Sequence, residues 1–474
     1  MMEFIWANWQ MLDLLLVMMG LAIYVGASRT LNQRRHPSAA VAWVLGILLV
    51  PYLALPLYLA FGTRKVTVSR TLPAARSVPV PTTAACPTML RSLQLGAAMG
   101  LPDPVPYDGL NIHADGAGAL NALRRVITGA AATLDVSTFL IGRDVLGGEI
   151  LRLLEQRARA GVRVRLLIDG IGIYLGGYPN LRTLSKAGIE VVRFVPPFSS
   201  SKRGRTNLRN HRKMVIADGK ILWCGGRNLA AEYFEGDPRA ILRRAPWIDL
   251  SFDLSGELVA QAYGQFERDL AFASEKETPV ASAADARIAT GATGAAPALA
   301  QLVDSGPDRP DDTIFTLLVS ACFTSRQRIL AVTPYFVPES SLLTALTLAA
   351  RRGIAVDLVM PGRSNHKLAD FARHRALRDM VAAGARVWLH PRMVHAKAVL
   401  VDDELALVGS ANLDGRSLFL NYEMMIAFYD RSAVVDFARW VESLRKECAP
   451  YRSRPPGRAL EVGEGLLLWL AFQL

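Results

Sequence analysis

The chain carries two copies of one short pattern, and this pair governs how the whole sequence is interpreted. The stretch His211–Asp218 reads HRKMVIAD, and the stretch His395–Asp402 reads HAKAVLVD. After six further residues the first copy continues as Gly225–Asn228 (GGRN) and the second as Gly409–Asn412 (GSAN). Two matches that share their internal spacing and their downstream Gly and Asn indicate a duplicated unit.

The segments around the two copies repeat in the same order, which predicts an α/β architecture. Each half is predicted to run strand, helix, strand, and then a helix that ends in Ala-Gly before a further strand. The first strand, helix and strand are Ala132–Ile141, Leu146–Ala160 and Val162–Asp169 in the first half, and Arg328–Val337, Ser340–Arg352 and Ile354–Met360 in the second. We expect two sheets packed about a pseudo-twofold axis, with the chemistry of the repeat at that axis.

The motif residues are predicted to form two matching half-sites. The β-branched and apolar residues after each histidine favour strands, on which side chains two positions apart share a face. Each half then presents an imidazole beside an ammonium, and the Gly-rich turn returns an Asn as a neutral donor. Such a set suits a phosphodiester, because Lys and Asn can hold its non-bridging oxygens in the transition state. The expected residues are His211, Lys213, Asn228, His395, Lys397 and Asn412.

Two histidines permit a division of labour at phosphorus. A neutral imidazole can attack and form a phospho-histidine, while a protonated imidazole donates to the departing alkoxide. The two rings therefore need separated pKa values, which explains why a single histidine would not suffice.

The carboxylates of the region fall into two groups. Asp218 and Asp402 complete the motifs and are counted with the catalytic set. They lie seven positions from their histidines, however, so a straight strand points them to the other face. We interpret them mainly as turn or strand-end anchors. Better candidates to orient the imidazoles are Asp249 and Glu423 in the following strands, because a carboxylate on a ring N–H fixes the tautomer.

Two apolar runs open the chain, at Phe4–Ala27 and Ala39–Gly62. Each is long enough to cross a bilayer core, which takes about 20 helical residues. We predict a retained two-helix transmembrane hairpin. The alternative is a signal peptide cleaved after Ala27, but the N-terminal region lacks Lys and Arg and a second run follows at once.

The orientation of the hairpin rests on its basic residues. Two spans leave the N-terminus and the main body on one side of the membrane. The basic residues are Arg29, Arg34 and Arg35 in the connecting loop, and Arg64, Lys65, Arg70 and Arg76 on the body side. The positive-inside bias barely decides between the two sides, and we expect a cytoplasmic body. A last apolar stretch, Leu466–Leu474, is too short to span and either lies in the interface or packs into the core.

The charge balance favours an anionic partner. The sequence has 54 Lys and Arg against 42 Asp and Glu, a net charge of +12, which fits either nucleic acid or an anionic lipid surface. The basic run Lys202–Arg212 is either a solvated loop or a surface that captures anionic head groups.

The four cysteines are scattered and no metal-type ligand spacing occurs, so neither a metal nor another cofactor is expected.

These strings resemble the signature of the phospholipase D superfamily. Over almost its whole length the chain is similar to the bacterial cardiolipin synthases with two such motifs. The similar segments are Arg34–Pro37 before Ala42-Trp43, Asn207–Asn228, Gly306–Asp308, Thr333–Pro338, Gly409–Ser417 and Asn421–Glu423. The chain departs from the family at Asn365, where Asp is usual, and has Gly226 where the second motif has Ser410.

The resemblance implies a reaction and a location. A phosphatidyl group passes from one phosphatidylglycerol to another with release of glycerol, without a metal, through a phospho-histidine on His211. Phosphatidylethanolamine could replace one phosphatidylglycerol. The protein is expected in the bacterial inner membrane with anionic phospholipid substrates and no nucleic acid, and its oligomeric state stays open.

The composition, the repeat and the resemblance together divide the chain into six segments. The expected bounds are 1–65 for the transmembrane hairpin, 66–106 for a linker, 107–280 for a first phospholipase D-like domain, 281–300 for a connector, 301–450 for a second such domain and 451–474 for the apolar tail.

Three alternatives remain open from the residues alone. The same chemistry with water as acceptor gives a phospholipase D or another phosphodiesterase. A nuclease fits the basic charge but leaves the apolar hairpin unexplained. A lipid-binding scaffold without catalysis leaves two intact half-sites unexplained.

Overall fold

The computed structural model describes residues 2–30, 37–62, 87–197, 207–236, 245–274, 298–453, 455–457 and 464. Several predicted features lie outside these residues: the loop residues Arg34 and Arg35, most of the linker, the basic residues Lys202, Arg203 and Arg205, most of the connector, and the stretch Leu466–Leu474.

The described residues form helices and strands in alternation. The helices are α1 (Met2–Thr30), α2 (Pro37–Leu49), α3 (Pro51–Phe61), α4 (Pro87–Ala98), α5 (Gly116–Gly129), α6 (Val145–Arg159), α7 (Gly172–Leu175), α8 (Arg182–Lys186), α9 (Leu258–Ser274), α10 (Thr313–Thr324), α11 (Ser340–Arg351), α12 (Lys367–Ala382), α13 (Gly415–Phe419) and α14 (Arg431–Arg445). The strands are β1 (Val105–Ile112), β2 (Thr133–Thr138), β3 (Arg163–Asp169), β4 (Glu190–Phe194), β5 (Met214–Ala217), β6 (Ile221–Gly225), β7 (Ser251–Gly256), β8 (Leu299–Ser305), β9 (Arg328–Val332), β10 (Phe336–Val337), β11 (Ala355–Pro361), β12 (Arg386–His390), β13 (Ala398–Val401), β14 (Leu405–Gly409), β15 (Leu413–Asp414), β16 (Glu423–Phe428) and β17 (Ala449–Pro450).

Fifteen of the strands form one continuous sheet. Their order is β17-β12-β11-β9-β13-β14-β16-β8-β1-β7-β6-β5-β2-β3-β4, and β10 pairs separately with β15. From the central pair outward, β16-β14-β13-β9-β11-β12 in one half matches β7-β6-β5-β2-β3-β4 in the other. The two sheets expected from the sequence are thus joined at their edges, because Val105 and Pro106 of β1 pair with Ala300 and Leu299 of β8.

The motif strands β5 and β13 are buried along their full length. Their side chains alternate between a core shared by the two halves and a separate core on the outer face of each half. The shared core contains Met214, Ile216, Ala398 and Leu400, together with apolar residues of α9 and α14. The outer cores contain Val215 and Ala217 in the first half and Val399 and Val401 in the second. Burial on both faces fixes the position of each motif histidine, which lies just before its strand.

The ends of the predicted elements agree with the structure to within one residue except in the first strand of each half, since the strand predicted at Ala132–Ile141 ends at Thr138 as β2. The Ala-Gly helix ends are present, with φ angles of 84° at Gly188 and 98° at Gly384. The strand predicted at Arg328–Val337 is divided into β9 and β10. Pro334 lies in the interruption, and a proline has no backbone N–H to offer to a sheet.

The N-terminal apolar runs form three helices. The second run is divided at Val50, where the backbone leaves the helical region before Pro51 and α3 begins. The second helix of the predicted hairpin is thus two shorter helices, because proline disfavours helical geometry at the residue before it. Among the residues that the structure describes, none of the helices combines the length and the apolar character needed to span a bilayer.

Candidate active site

The first half-site is tied to the second half of the chain. Asn210 and Tyr422 form a short parallel bridge, and the His211 backbone N–H donates to the Tyr422 carbonyl at 2.9 Å. Glu423 follows Tyr422, so its carboxylate meets the ring. Its two oxygens lie 3.0 and 3.1 Å from His211 Nδ1. The edge of Phe139 approaches the same ring, with 5.3 Å between ring centroids.

The second half-site repeats this arrangement, with its histidine tied to the first half of the chain. Val394 bridges to Ile248, and the His395 backbone N–H donates to the Ile248 carbonyl at 2.6 Å. Asp249 follows Ile248, and its Oδ2 lies 2.7 Å from His395 Nδ1. In both half-sites a buried carboxylate from the other half therefore holds Nδ1 and orients the ring.

The carboxylate of Glu423 is held by three neutral donors. The Ser410 hydroxyl donates to Oε2 at 2.5 Å, and the Ser417 hydroxyl donates to Oε1 at 2.5 Å. The Asn421 amide donates to Oε1 at 3.3 Å. These bonds fix the carboxylate against His211. The sequence offers no periodicity that would identify Ser417 as one of these donors.

The carboxylate of Asp249 is held by a backbone N–H and lies close to a glycine of the first motif. Its Oδ1 accepts from the Leu250 backbone N–H at 2.8 Å. A Cβ atom at Gly226 would overlap Oδ1, so the space that Ser410 fills in the second motif is occupied here by the carboxylate itself. The Gly-for-Ser departure between the two motifs thus follows from the different carboxylates that they accommodate.

The motif lysines lie inside the site and not on its surface. Lys213 and Lys397 are each 1% exposed. Each Nζ donates to the backbone carbonyl of its own motif histidine, at 2.6 Å for Lys213, and Lys397 Nζ also lies 3.0 Å from His395 Nε2. In the described part of the chain, no group of three His, Cys, Asp or Glu is placed to hold a metal ion.

Burial and charge shift the ionisation of both half-sites. Burial lowers the pKa of His211, with Glu423 opposing and Lys213 adding to the shift. Burial and then Lys397 lower the pKa of His395 to about 3, against the opposing charge of Asp249. The Lys397 charge also acts on His211 and the Lys213 charge on His395, so the two half-sites share one electrostatic environment.

The lysines and carboxylates respond to the same environment. Burial lowers the pKa of Lys397 to about 8 and that of Lys213 well below its ordinary value. Burial alone would raise the pKa of Asp249, but the charges of Lys397 and His395 bring it to about 2. With both imidazoles neutral, the two ammonium groups are matched by the carboxylates of Asp249 and Glu423.

The two motif asparagines occupy equivalent buried positions. The Asn228 amide nitrogen donates to the Tyr233 hydroxyl at 2.8 Å, so this donor is already engaged within the protein. The Asn412 backbone N–H donates to the Ser417 hydroxyl at 2.9 Å. The side-chain oxygens of both asparagines are buried, and neither has a hydrogen-bond partner in the described part of the chain.

Asp218 and Asp402 lie at the far ends of the motif strands and not beside the histidines. Asp218 accepts three consecutive backbone N–H groups, from residues 131–133, at 2.7–2.9 Å. Asp402 accepts those of residues 326–328 at 2.8–3.0 Å. Both have left-handed φ angles, of 54° and 53°. The structure therefore places them as clamps between the motif strand and the start of its neighbour, outside the reacting centre.

Two arginines of the basic run are internal. The Arg209 guanidinium lies 3.1 Å from Asp169, which is fully buried. Arg212 is 0% exposed and forms an ion pair with Asp269 while donating to the Ser305 and Glu423 carbonyls. Neither is placed to capture head groups from solution, because each neutralises a buried carboxylate.

Aromatic side chains from the first half surround the second histidine. The Tyr233 and Trp247 rings lie 5.0 and 5.5 Å from the His395 ring. Sequence reasoning missed both residues. The two motifs are separated by a constant 184 residues, and this offset places Tyr233 opposite Ser417. That correspondence could have identified Tyr233 from the sequence.

Two family descriptions match the chain. The family described as cardiolipin synthase, PLD-like domain, matches residues 123–242 and 318–445, which together exceed half of the chain. The family described as phospholipase D-nuclease N-terminal matches residues 21–62.

Curated relatives match most of the chain as well. Cardiolipin synthase A of Pseudomonas fluorescens Pf-5 is 31% identical over 454 residues, covering 90% of this chain and 91% of the relative. Cardiolipin synthase A of Pseudomonas putida W619 is 30% identical over 452 residues, with the same coverage. A crystal structure of phosphatidylserine synthase from Haemophilus influenzae Rd KW20 superimposes with a TM-score of 0.61 at 13% identity, covering 82% of this chain and 100% of that one, and shows a shared fold. The chain belongs to the cardiolipin synthase family of the phospholipase D superfamily.

Proposed function

We propose that this protein is a phosphatidyltransferase that makes cardiolipin from two molecules of phosphatidylglycerol and releases glycerol. The observation that carries the proposal is the reciprocal pairing of the two histidines. Each Nδ1 is held by a buried carboxylate from the opposite half, so both Nε2 atoms are oriented for chemistry.

In the first step, His211 Nε2 attacks the phosphorus of the donor lipid. The bond from phosphorus to the glycerol head-group oxygen breaks, and the electron pair leaves on that oxygen. His395 donates the proton that converts the leaving alkoxide to glycerol. Glu423 stabilises the positive charge that develops on the His211 ring, and Lys213 and Lys397 stabilise the negative charge on the non-bridging oxygens.

His395 becomes protonated when the substrate binds. In the protein without substrate, burial and Lys397 keep the pKa of His395 low. A bound phosphodiester adds one negative charge to a site whose ammonium and carboxylate charges otherwise match. A negative charge beside an imidazole raises its pKa, so substrate binding favours protonation of the ring that acts as the acid.

In the second step, a terminal hydroxyl of a second phosphatidylglycerol enters. His395, now neutral, removes its proton while the oxygen attacks phosphorus. The bond between phosphorus and His211 breaks, and the product carries two phosphatidyl groups on one glycerol. Water in the same position gives phosphatidic acid, which is the hydrolase alternative.

The test is a lipid product assay with the purified full-length protein. Vesicles or mixed micelles of phosphatidylglycerol alone are incubated with the protein, and lipids and glycerol are quantified by mass spectrometry. We expect cardiolipin and glycerol in equal amounts. Phosphatidic acid as the main product would instead establish the hydrolase.

Histidine variants complete this assay. His211→Ala and His395→Ala are each expected to abolish the product. His113→Ala is the matched control, because His113 also pairs with a carboxylate, Asp253 at 2.8 Å, outside the motifs. A His211→Ala protein that still makes cardiolipin would support a different catalytic residue.

We also propose that the N-terminal helices hold the protein in the bacterial inner membrane, with the catalytic body on the cytoplasmic side. The support is apolar surface: Leu14 and Leu15 are each 63% exposed, and Leu49 is 76% exposed. Side chains of this kind and exposure mark a surface that meets lipid or another apolar partner. Cysteine labelling of residues 29 and 452 in intact and opened cells tests the orientation, and labelling of residue 452 in intact cells would reverse it.

A further inference from the structure

The proposed reaction places two anionic lipids at one site. The phosphate of the donor lies between Lys213 and Lys397. The acceptor keeps its own phosphate throughout, while the two motif lysines are assigned to the donor phosphate. The following inference rests on the proposed function and concerns where that second phosphate binds.

Arg416 has the contacts expected of an anion-binding residue. It is half-buried in the short helix α13. Its guanidinium donates to the Asn207 side-chain oxygen at 3.2 Å and to the Asn207 carbonyl at 3.3 Å. Within the described ranges no carboxylate lies within ion-pair distance of it. A partly buried guanidinium normally neutralises a carboxylate or a phosphate, because desolvating an unmatched charge is costly.

Its position connects it to the His211 end of the site. The Asn421 backbone N–H donates to the Arg416 carbonyl at 3.0 Å. The next residue, Ser417, donates to Glu423, which holds His211. The partner Asn207 lies four residues before His211 in the chain. Arg416 is thus bonded to Asn207 and to Asn421. The first lies close in sequence to His211, and the second lies close to Glu423, which holds His211.

A second guanidinium strengthens the positive potential there. Burial, and then the charge of Arg209, lower the pKa of Arg416. Arg209 is matched by Asp169, and the nearby carboxylates of Asp414 and Asp169 oppose the shift at Arg416.

The two halves differ in charge at this position. The offset of 184 residues that relates the motifs places Glu232 opposite Arg416. Glu232 lies at the other end of the site, where its backbone carbonyl accepts from Trp247, a neighbour of His395. A cation at one end and an anion at the other distinguish a ligand that bears a phosphate from one that does not.

We propose that Arg416 binds the phosphate of the acceptor lipid and so selects a phosphatidylglycerol over a neutral alcohol or water in the second step. Two hydrogen bonds from one guanidinium to a phosphate would fix the distance between the acceptor phosphate and the phospho-histidine. The attacking hydroxyl, at the far end of the glycerol, would then be positioned at phosphorus.

The test compares acceptors with and without a phosphate on the same full-length enzyme. Cardiolipin formation uses phosphatidylglycerol as acceptor. Incorporation of isotopically labelled glycerol into phosphatidylglycerol uses the same donor, the same first step and an acceptor without phosphate. For Arg416→Gln we expect kcat/KM for cardiolipin formation to fall about 10- to 100-fold, mainly through KM, while glycerol exchange changes less than about threefold.

Two further variants make the result decisive. Arg416→Lys keeps the charge and is expected to lie between the wild type and Arg416→Gln. Arg352→Gln removes a guanidinium that bonds to the Phe323 and Cys322 carbonyls, and both activities are expected to stay unchanged. Equal loss of both activities in Arg416→Gln, no loss of either, or an Arg416→Lys protein no better than Arg416→Gln would overturn the proposal. A wild-type protein that makes phosphatidic acid and no cardiolipin would instead refute the proposed function.

Discussion

The His211 ring lies 3.0 Å from the carboxylate of Glu423, a residue 212 positions later in the chain. The His395 ring depends in the same way on Asp249, 146 positions earlier. Each half of the duplication therefore supplies the carboxylate that orients the histidine of the other half. Neither half-site is complete alone, so the chemistry depends on the contact between the halves.

Replacing these carboxylates by amides tests their role in orienting the rings. Glu423→Gln and Asp249→Asn keep the size of the side chain but remove the charge that fixes the tautomer. In a comparable triad this change lowers kcat by about 10,000-fold. We expect losses of about 100-fold or more for each variant in the rate of cardiolipin formation. Asp253→Asn, at the His113 pair, serves as the control and should retain activity.

The difference between Gly226 and Ser410 predicts opposite sensitivities to small substitutions. In Gly226→Ala the added methyl group displaces Asp249 from His395, since it overlaps Oδ1. Ser410→Ala removes one of three donors to Glu423 and leaves the other two. We expect the larger loss of kcat in Gly226→Ala and a loss of about tenfold or less in Ser410→Ala. The reverse order, in parallel assays, would argue against the packing described for Asp249.

The motif aspartates are predicted to affect stability more than catalysis. Asp218→Ala leaves three backbone N–H groups without their acceptor and introduces a side chain that tolerates the left-handed φ poorly. We expect a loss of about 2 kcal/mol in the free energy of unfolding, with the kcat of the folded enzyme nearly retained.

Asp218→Asn is the conservative control for this prediction. It keeps the oxygen that accepts two of the three bonds and tolerates the same φ, so its loss of stability should be smaller. Urea unfolding and active-site-normalised kcat measure the two effects separately. A large loss of kcat in a stably folded Asp218→Asn protein would place Asp218 in the chemistry after all.

Arg212 is predicted to stabilise the fold through its buried ion pair with Asp269, and it also donates to the Ser305 and Glu423 carbonyls of the second half. The second motif has Ala396 at the equivalent position, so this ion pair exists on one side only. Arg212→Gln leaves Asp269 buried without its cation and is expected to cost about 3–5 kcal/mol of stability. The double variant with Asp269→Asn should recover part of that loss in urea unfolding. No recovery would mean that Asp269 is not the charge that Arg212 balances.

The free energy of unfolding should decrease as the pH falls below the pKa of an ordinary imidazole. Folded His395 stays neutral down to about pH 3, whereas an unfolded histidine takes up a proton near pH 6.5. Between these values the unfolded state binds more protons, so stability decreases as pH falls, by up to about 1.4 kcal/mol per pH unit from this group. Asp249 contributes in a lower window, where stability present above about pH 3.9 is lost as pH falls through about 2.

Removing the titrating ring isolates its share of this effect. Urea unfolding at pH 7, 5 and 4 is compared between the wild type and His395→Asn. The variant should show a shallower dependence between pH 6.5 and 4. An unchanged dependence would assign the pH effect to other groups.

The local pattern of the sequence predicted the parts of the site that depend on short-range geometry. Strand alternation predicts that the side chains of Asp218 and Asp402 point to the strand face opposite their histidines. The structure places both residues at strand ends. The same reasoning directed attention to Asp249 and Glu423. These inferences succeed because a strand of four buried residues leaves little freedom in the direction of its side chains.

The long-range relationships could not be derived in this way. Nothing in the pattern of β1 or β8 indicates that they join the two sheets, because edge pairing depends on how the halves meet. The position of Arg212 was misjudged for the same reason, since a basic run in sequence resembles a solvated surface until its carboxylate partners are known. The domain bounds and the catalytic roles stay predictions.

The most direct test of the account is to trap the covalent intermediate. A labelled phosphatidyl donor with a p-nitrophenol leaving group needs no acid for the first step, whereas the second step needs His395 as base. We predict that His395→Asn accumulates label on the peptide that contains His211, and that His211→Asn accumulates none. Label on the His395 peptide of His211→Asn, with none in His395→Asn, would contradict the assignment of His211 as the nucleophile.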